Sequence, residues 1–122
     1  MSAMKTLIIK WIVLTGTVFL VARYYSGIEV TGIEAAAITA LILGLLNALV
    51  KPILFILTLP ITLLTLGLFS FVLNGIMLLL ADKFVTGFSV AGLLSAIIAS
   101  ILISIVSTIG NKLLMGPDGK VD

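Results

Sequence analysis

The chain contains no cysteine and no histidine, and charged residues fill only 10% of its 122 positions. Without cysteine there is no disulfide framework, no thiol chemistry and no thiolate metal site. Without histidine, the usual metal ligand and the usual proton shuttle near neutral pH are missing. A net charge of +2 is too small and too scattered for nucleic acid to be a partner. No paired carboxylates and no nucleophile–base set stand out, so the residues point to no enzyme and to no cofactor.

What the sequence does contain is apolar. Hydrophobic residues make up 61% of it, at a mean hydropathy of +1.41. Soluble domains carry roughly 25% charged residues, and a core this small cannot hide so much apolar surface from water. The chain therefore reads as an all-α integral membrane protein, a single domain over residues 1–122 whose first partner is the lipid bilayer.

A bilayer span needs about 20 apolar residues, and four stretches qualify, at about 6–24, 33–50, 60–82 and 93–110. The first has a basic start before an apolar run, as a signal peptide does. Trp11 comes early, however, Lys10 lies inside the run, and no small-x-small cleavage site precedes Arg23, so the span reads as retained. Trp11 and the pair Tyr24 and Tyr25 fall where aromatic belts would lie. The segment SGIEVTG at 26–32 then forms a short extended turn, and TGFSVAG at 86–92 a second one. The tail MGPDGKVD is polar and is expected to be poorly ordered.

The centre of the chain is the run NALVKPILFILTLPITLLTLG at 47–67. Lys51 and Pro52 are expected to stop the second span, because the residue before a proline is pushed out of the helical region. Pro60 suits the first turn of the third span, where its missing N–H costs nothing. Residues 51–59 become an apolar connector, interfacial or re-entrant, with Lys51, Pro52, Pro60 and Gly67 as its hinge positions. The hydroxyls of Thr58, Thr62 and Thr65 are available to backbone carbonyls that the prolines leave free.

Shifting the sequence by 60 residues superposes Arg23 on Lys83, Gly27 on Gly87, Val30 on Val90, Gly32 on Gly92, Ala36 on Ala96 and Ile38 on Ile98. A stripe of small residues, Ala36, Ala40, Gly44 and Ala48, lands on a second stripe, Ala96, Ser100, Ser104 and Thr108. The halves read as a tandem repeat of two spans each. Small residues at this spacing let helices approach closely in lipid. The two stripes either pack on each other within one chain, or at least one builds a homo-oligomer or a larger membrane complex. Asn47, Asn74 and Ser107 are the candidates for a polar lining, with interhelical hydrogen bonding as the plainer role. Asp82 and Lys83 read as solvated charges at a membrane boundary, and Glu34 as a first-turn partner of the helix dipole.

Lys5, Lys10, Lys51, Lys112 and Lys120 fall on one side of this arrangement, and only Arg23 and Lys83 on the other. The positive-inside rule places both termini and the central connector in the cytoplasm.

The run LGLLNALVKPILFILTLPITLLTLGLFSFVLNGIMLLLAD, followed by GFSV, resembles the small bacterial membrane proteins grouped as phage holin superfamily IV, or YvlD-like proteins. The resemblance covers about residues 11–109. It implies four spans, a bacterial inner-membrane location and a holin-like role, and it carries over no catalytic residues. The tail lacks the strong charge that many holins have. The readings that follow are an oligomeric envelope component or accessory subunit, a holin-like pore former and, third, a small transporter.

Overall fold

The computed structural model describes residues 2–115. The polar tail and Lys120 lie outside the described residues. Eight elements follow one another: α1 (Ser2–Tyr24), β1 (Ile28–Val30), α2 (Ile33–Leu49), α3 (Lys51–Leu57), α4 (Leu59–Leu64), α5 (Phe69–Phe84), β2 (Phe88–Val90) and α6 (Leu93–Met115). Helices α1, α2, α5 and α6 form a four-cornered bundle in which α1 touches α2 and α6, and α5 touches α2 and α6. Two segments are long and apolar enough to cross a membrane, Ala3–Tyr24 and Leu93–Leu114. A third joins them if α2 and α3, which meet at 41°, count as one bent span.

The two extended turns meet at one end of the bundle. β1 and β2 pair antiparallel, with Ile28 opposite Val90, Glu29 opposite Ser89 and Val30 opposite Phe88. Ile28 and Phe88 point into the core and Glu29 and Ser89 outward, the period-2 alternation of a half-buried strand. Backbone bonds recur at a 60-residue spacing around this sheet. Thr31 N–H donates to Gly87 O at 2.8 Å, and Ala91 N–H to Gly27 O at 2.9 Å. Ala36 N–H donates to Gly32 O at 3.0 Å, and Ala96 N–H to Gly92 O at 2.8 Å. Burial follows the same spacing, since Ala36, Thr39, Ala40 and Leu43 are buried, as are Ala96, Ala99, Ser100 and Ile103.

The centre of the chain follows expectation in part. α2 does stop before Lys51 and Pro52, as expected, but a second helix follows at once. α2 closes at Leu49, Val50 stays in the right-handed helical region, and Pro52 sits in the first turn of α3. The result is a bend, because a proline that early in a helix gives up no bond within it. The connector is thus helical, and nearly all its apolar side chains, Ile53, Ile56 and Leu57 among them, are exposed.

The helix expected to run unbroken over 60–82 is two pieces. α4 ends after Leu64, where Gly67 N–H donates to Thr62 O at 2.8 Å and Leu66 N–H to Leu63 O at 3.1 Å. These are the two bonds of a Schellman ending. Leu66 occupies its left-handed position at φ 57°, and Gly67 follows at φ 90°. Hydropathy did not reveal this break, because composition stays apolar while the backbone reverses its turn.

Candidate functional site: a polar cavity in the helix bundle

A partly open cavity of mixed polar and apolar lining lies among the four bundle helices. It has a volume of about 60 Å³ and is lined by Leu14 from α1, Leu43 and Asn47 from α2, Asn74 and Leu78 from α5, and Ser100, Ile103 and Ser104 from α6. The cavity brings together two of the expected lining residues, Asn47 and Asn74, with two members of the α6 stripe. Ser107 is not among them, and its hydroxyl leans back on Ser104 O at 3.3 Å.

The side-chain chemistry of the cavity is neutral. Ser100 Oγ donates to Ile97 O at 2.8 Å, inside its own helix. Neither Asn47 nor Asn74 has a side-chain hydrogen bond to any other described residue. Asn47 is exposed and Asn74 half-buried, so water or each other can serve their carboxamides. The volume suffices for a few water molecules at about 10–15 Å³ each on this measure. The lining carries no titratable group, so it offers hydrogen bonds without proton transfer.

The stripes divide along their length. Ala36 and Ala40 on α2 are buried, as are Ala96 and Ser100 on α6. Gly44, Ala48, Ser104 and Thr108 are exposed. The buried halves do not meet each other, because α2 and α6 occupy opposite corners of the bundle. Among the described residues, α2 and α6 face each other across the cavity and do not pack directly. Helices α2 and α6 each pack instead against α1 and α5.

Three contacts fix the bundle around the cavity. Trp11 Nε1–H donates to Ala37 O at 2.9 Å and ties α1 to α2. Gly75 lets α5 lie against the backbone of α6 at Ile97. Asp82 is not a free boundary charge: its Oδ2 accepts from Val90 N–H at 3.0 Å and ties α5 to β2. The sequence signal for Gly75 is a glycine beside Asn74 deep within a span. The Asp82 contact spans eight residues and a turn, and no local pattern announces it.

At the hinge, Thr58 Oγ1 donates to Leu54 O at 2.8 Å, Thr62 Oγ1 to Thr58 O at 3.1 Å and Thr65 Oγ1 to Ile61 O at 3.0 Å. Each takes the carbonyl four residues back. None takes Ile56 O, the carbonyl that Pro60 deprives of its helical N–H, so these hydroxyls do not repair the proline gap. Thr65 adds a separate service, accepting from Phe69 N–H at 3.1 Å to bridge the break between α4 and α5.

Residues 5–109 match the family model described as "Mycobacterial 4 TMS phage holin, superfamily IV". "Uncharacterized membrane protein YvlD" of Bacillus subtilis (strain 168) is 39% identical over 114 residues, covering 89% of this chain and 96% of that one. "Uncharacterized protein SCO3922" of Streptomyces coelicolor (strain ATCC BAA-471 / A3(2) / M145) is 38% identical over 126 residues, covering 95% and 99%. No solved structure matches the chain at a significant level. The match over nearly all the described residues, together with the apolar helical bundle, establishes a small multi-pass membrane protein that belongs to phage holin superfamily IV.

Proposed function

We propose that the protein is a non-enzymatic oligomeric membrane protein that acts through helix packing, as an envelope-structural component or an accessory subunit of a membrane complex. The observation that carries this reading is the division of the two stripes. Their first halves are used up inside the bundle, whereas Gly44, Ala48, Ser104 and Thr108 remain exposed. A Cβ on Gly44 would meet nothing within 4 Å, so the groove there is free for a neighbouring helix. In lipid, close approach over small residues is a principal source of helix association.

The reading includes an architecture. The 60-residue recurrence of hydrogen bonds and burial supports two tandem repeats, α1–α2 and α5–α6, about a pseudo-twofold axis through the sheet. Four spans follow, with α4 and α5 together as the third. The lysine distribution supports cytoplasmic termini in a bacterial inner membrane, with the sheet on the opposite side.

A holin-like pore is the second reading, favoured by the convergence of Asn47, Asn74, Ser100 and Ser104 on one cavity. A cavity of about 60 Å³ inside one chain is not a channel, so a pore would have to form between protomers. Release of dyes of graded size from liposomes holding the protein separates the two. Tight liposomes around a confirmed oligomer support the packing reading. Size-limited release that Gly44→Leu abolishes would replace it with the pore.

A further inference from the structure

The two edges of the β1–β2 sheet differ in a way that points to a ligand. In an antiparallel pair, alternate residues direct their N–H toward the partner strand and away from it. Thr31 and Ala91 direct theirs inward, to Gly87 O and Gly27 O. Val30 and Val90, one position earlier on each strand, therefore direct theirs to the two outer edges. On the β2 edge a carboxylate meets that group, since Val90 N–H donates to Asp82 Oδ2 at 3.0 Å.

On the β1 edge the residue 60 positions before Asp82 is Ala22, which has no acceptor to offer. The space there is an open groove of about 470 Å³, lined by Phe19, Ala22 and Arg23 from α1, and by Val30, Thr31, Gly32 and Ile33. Arg23 makes no hydrogen bond or ion pair with any other described residue. α2 begins at the same groove, and Gly32 gives its first turn no side-chain cap. Glu34 in the first turn of α2 answers the positive end of that helix, so two donors border the groove: the Arg23 guanidinium and the outward N–H of Val30. The nearby carboxylates, Glu29 and Glu34, are exposed and do not line the groove.

We infer that this groove binds a phosphate-type oxyanion, which takes on the β1 edge the place that the Asp82 carboxylate takes on the β2 edge. The planar guanidinium of Arg23 supplies paired N–H donors suited to phosphate oxygens, and Val30 N–H supplies a further one. A lipid headgroup and a free phosphate share this chemistry.

The test uses the full chain in nanodiscs of phosphatidylglycerol and phosphatidylcholine, with retained lipid counted by native mass spectrometry. A second readout is the amide resonance of Val30 in mild detergent during titration with inorganic phosphate. The variants are Arg23→Gln, at an exposed position, and Ala22→Asp, which builds the missing carboxylate into the chain. If the headgroup is the ligand, phosphatidylglycerol is retained selectively and Arg23→Gln lowers that retention roughly tenfold, as expected for one charge-assisted contact. If free phosphate is the ligand, no lipid is selected, yet phosphate shifts Val30 in the native chain and not in Arg23→Gln. In either case Ala22→Asp blocks the site and slows hydrogen exchange at Val30. Equal lipid retention in native chain and Arg23→Gln, together with a Val30 resonance indifferent to phosphate in both, overturns the proposal. Arg23→Gln decides the matter alone should Ala22→Asp fail to fold.

Discussion

A Cβ atom on Gly75 would lie 3.0 Å from the backbone nitrogen of Ile97 and 3.2 Å from its Cα. Ile97 Cγ1 is nearer still, at 2.8 Å, and could turn aside, but the backbone atoms behind it cannot. Gly75 is thus where α5 and α6 approach most closely on glycine, next to the cavity residue Asn74. Gly75→Ala is expected to destabilise the bundle by about 1–3 kcal/mol, the usual range for overpacking. Unfolding in mixed micelles measures this, and an unchanged midpoint would contradict the contact.

Asp82 bears on the sheet end of the bundle. Asp82→Ala leaves Val90 N–H without its acceptor, and loss of a charge-assisted bond costs about 1.5–3 kcal/mol. Asp82→Asn keeps an acceptor and is expected to cost less. Hydrogen exchange at Val90 should quicken in the order native, Asn variant, Ala variant. Equal exchange in all three would return Asp82 to a solvated boundary charge.

Thr39 is fully buried, and its Oγ1 has no hydrogen-bond partner, although other helical threonines here bond the carbonyl four residues back. Thr39→Val keeps the shape and removes the unmet hydroxyl, whose burial costs about 1–3 kcal/mol. The variant is expected to unfold at a higher temperature. A lower midpoint would mean that the hydroxyl has a partner in the membrane.

Leu66 holds a left-handed backbone conformation, which costs a non-glycine residue roughly 1–2 kcal/mol. Leu66→Gly should relieve that strain and stabilise the end of α4. Its side chain is 94% exposed, so little packing is lost. A drop in stability would show that the leucine holds the break by anchoring in lipid.

Much of the bundle could be read from the sequence. The apolar runs located α1, α2 and α6, and glycines 27, 32, 87 and 92 bounded the two turns. The alternation of Ile28, Glu29 and Val30 announced a short extended turn, which the structure makes one strand of a pair. Its pairing with residues 88–90 is a tertiary contact across some 60 residues, which no local pattern carries. The break at Leu66 and Gly67 stayed hidden for a different reason. A Schellman ending usually puts glycine in the left-handed position, and here leucine takes it, one residue before the glycine. Asn47 and Asn74 stood out as polar residues in apolar spans. That they share a cavity with Ser100 and Ser104 depends on which corners of the bundle the helices occupy, and stripe periodicity says nothing of corners.

The most direct measurement is the oligomeric mass of the native chain beside Gly44→Leu, by light scattering in mild detergent. Gly44 faces open space, so the substitution should leave each bundle folded, with an unchanged unfolding midpoint. Assembly through the exposed half of the α2 stripe gives a native oligomer and a folded monomer for Gly44→Leu. The same mass for both proteins would contradict assembly through the exposed half of the α2 stripe.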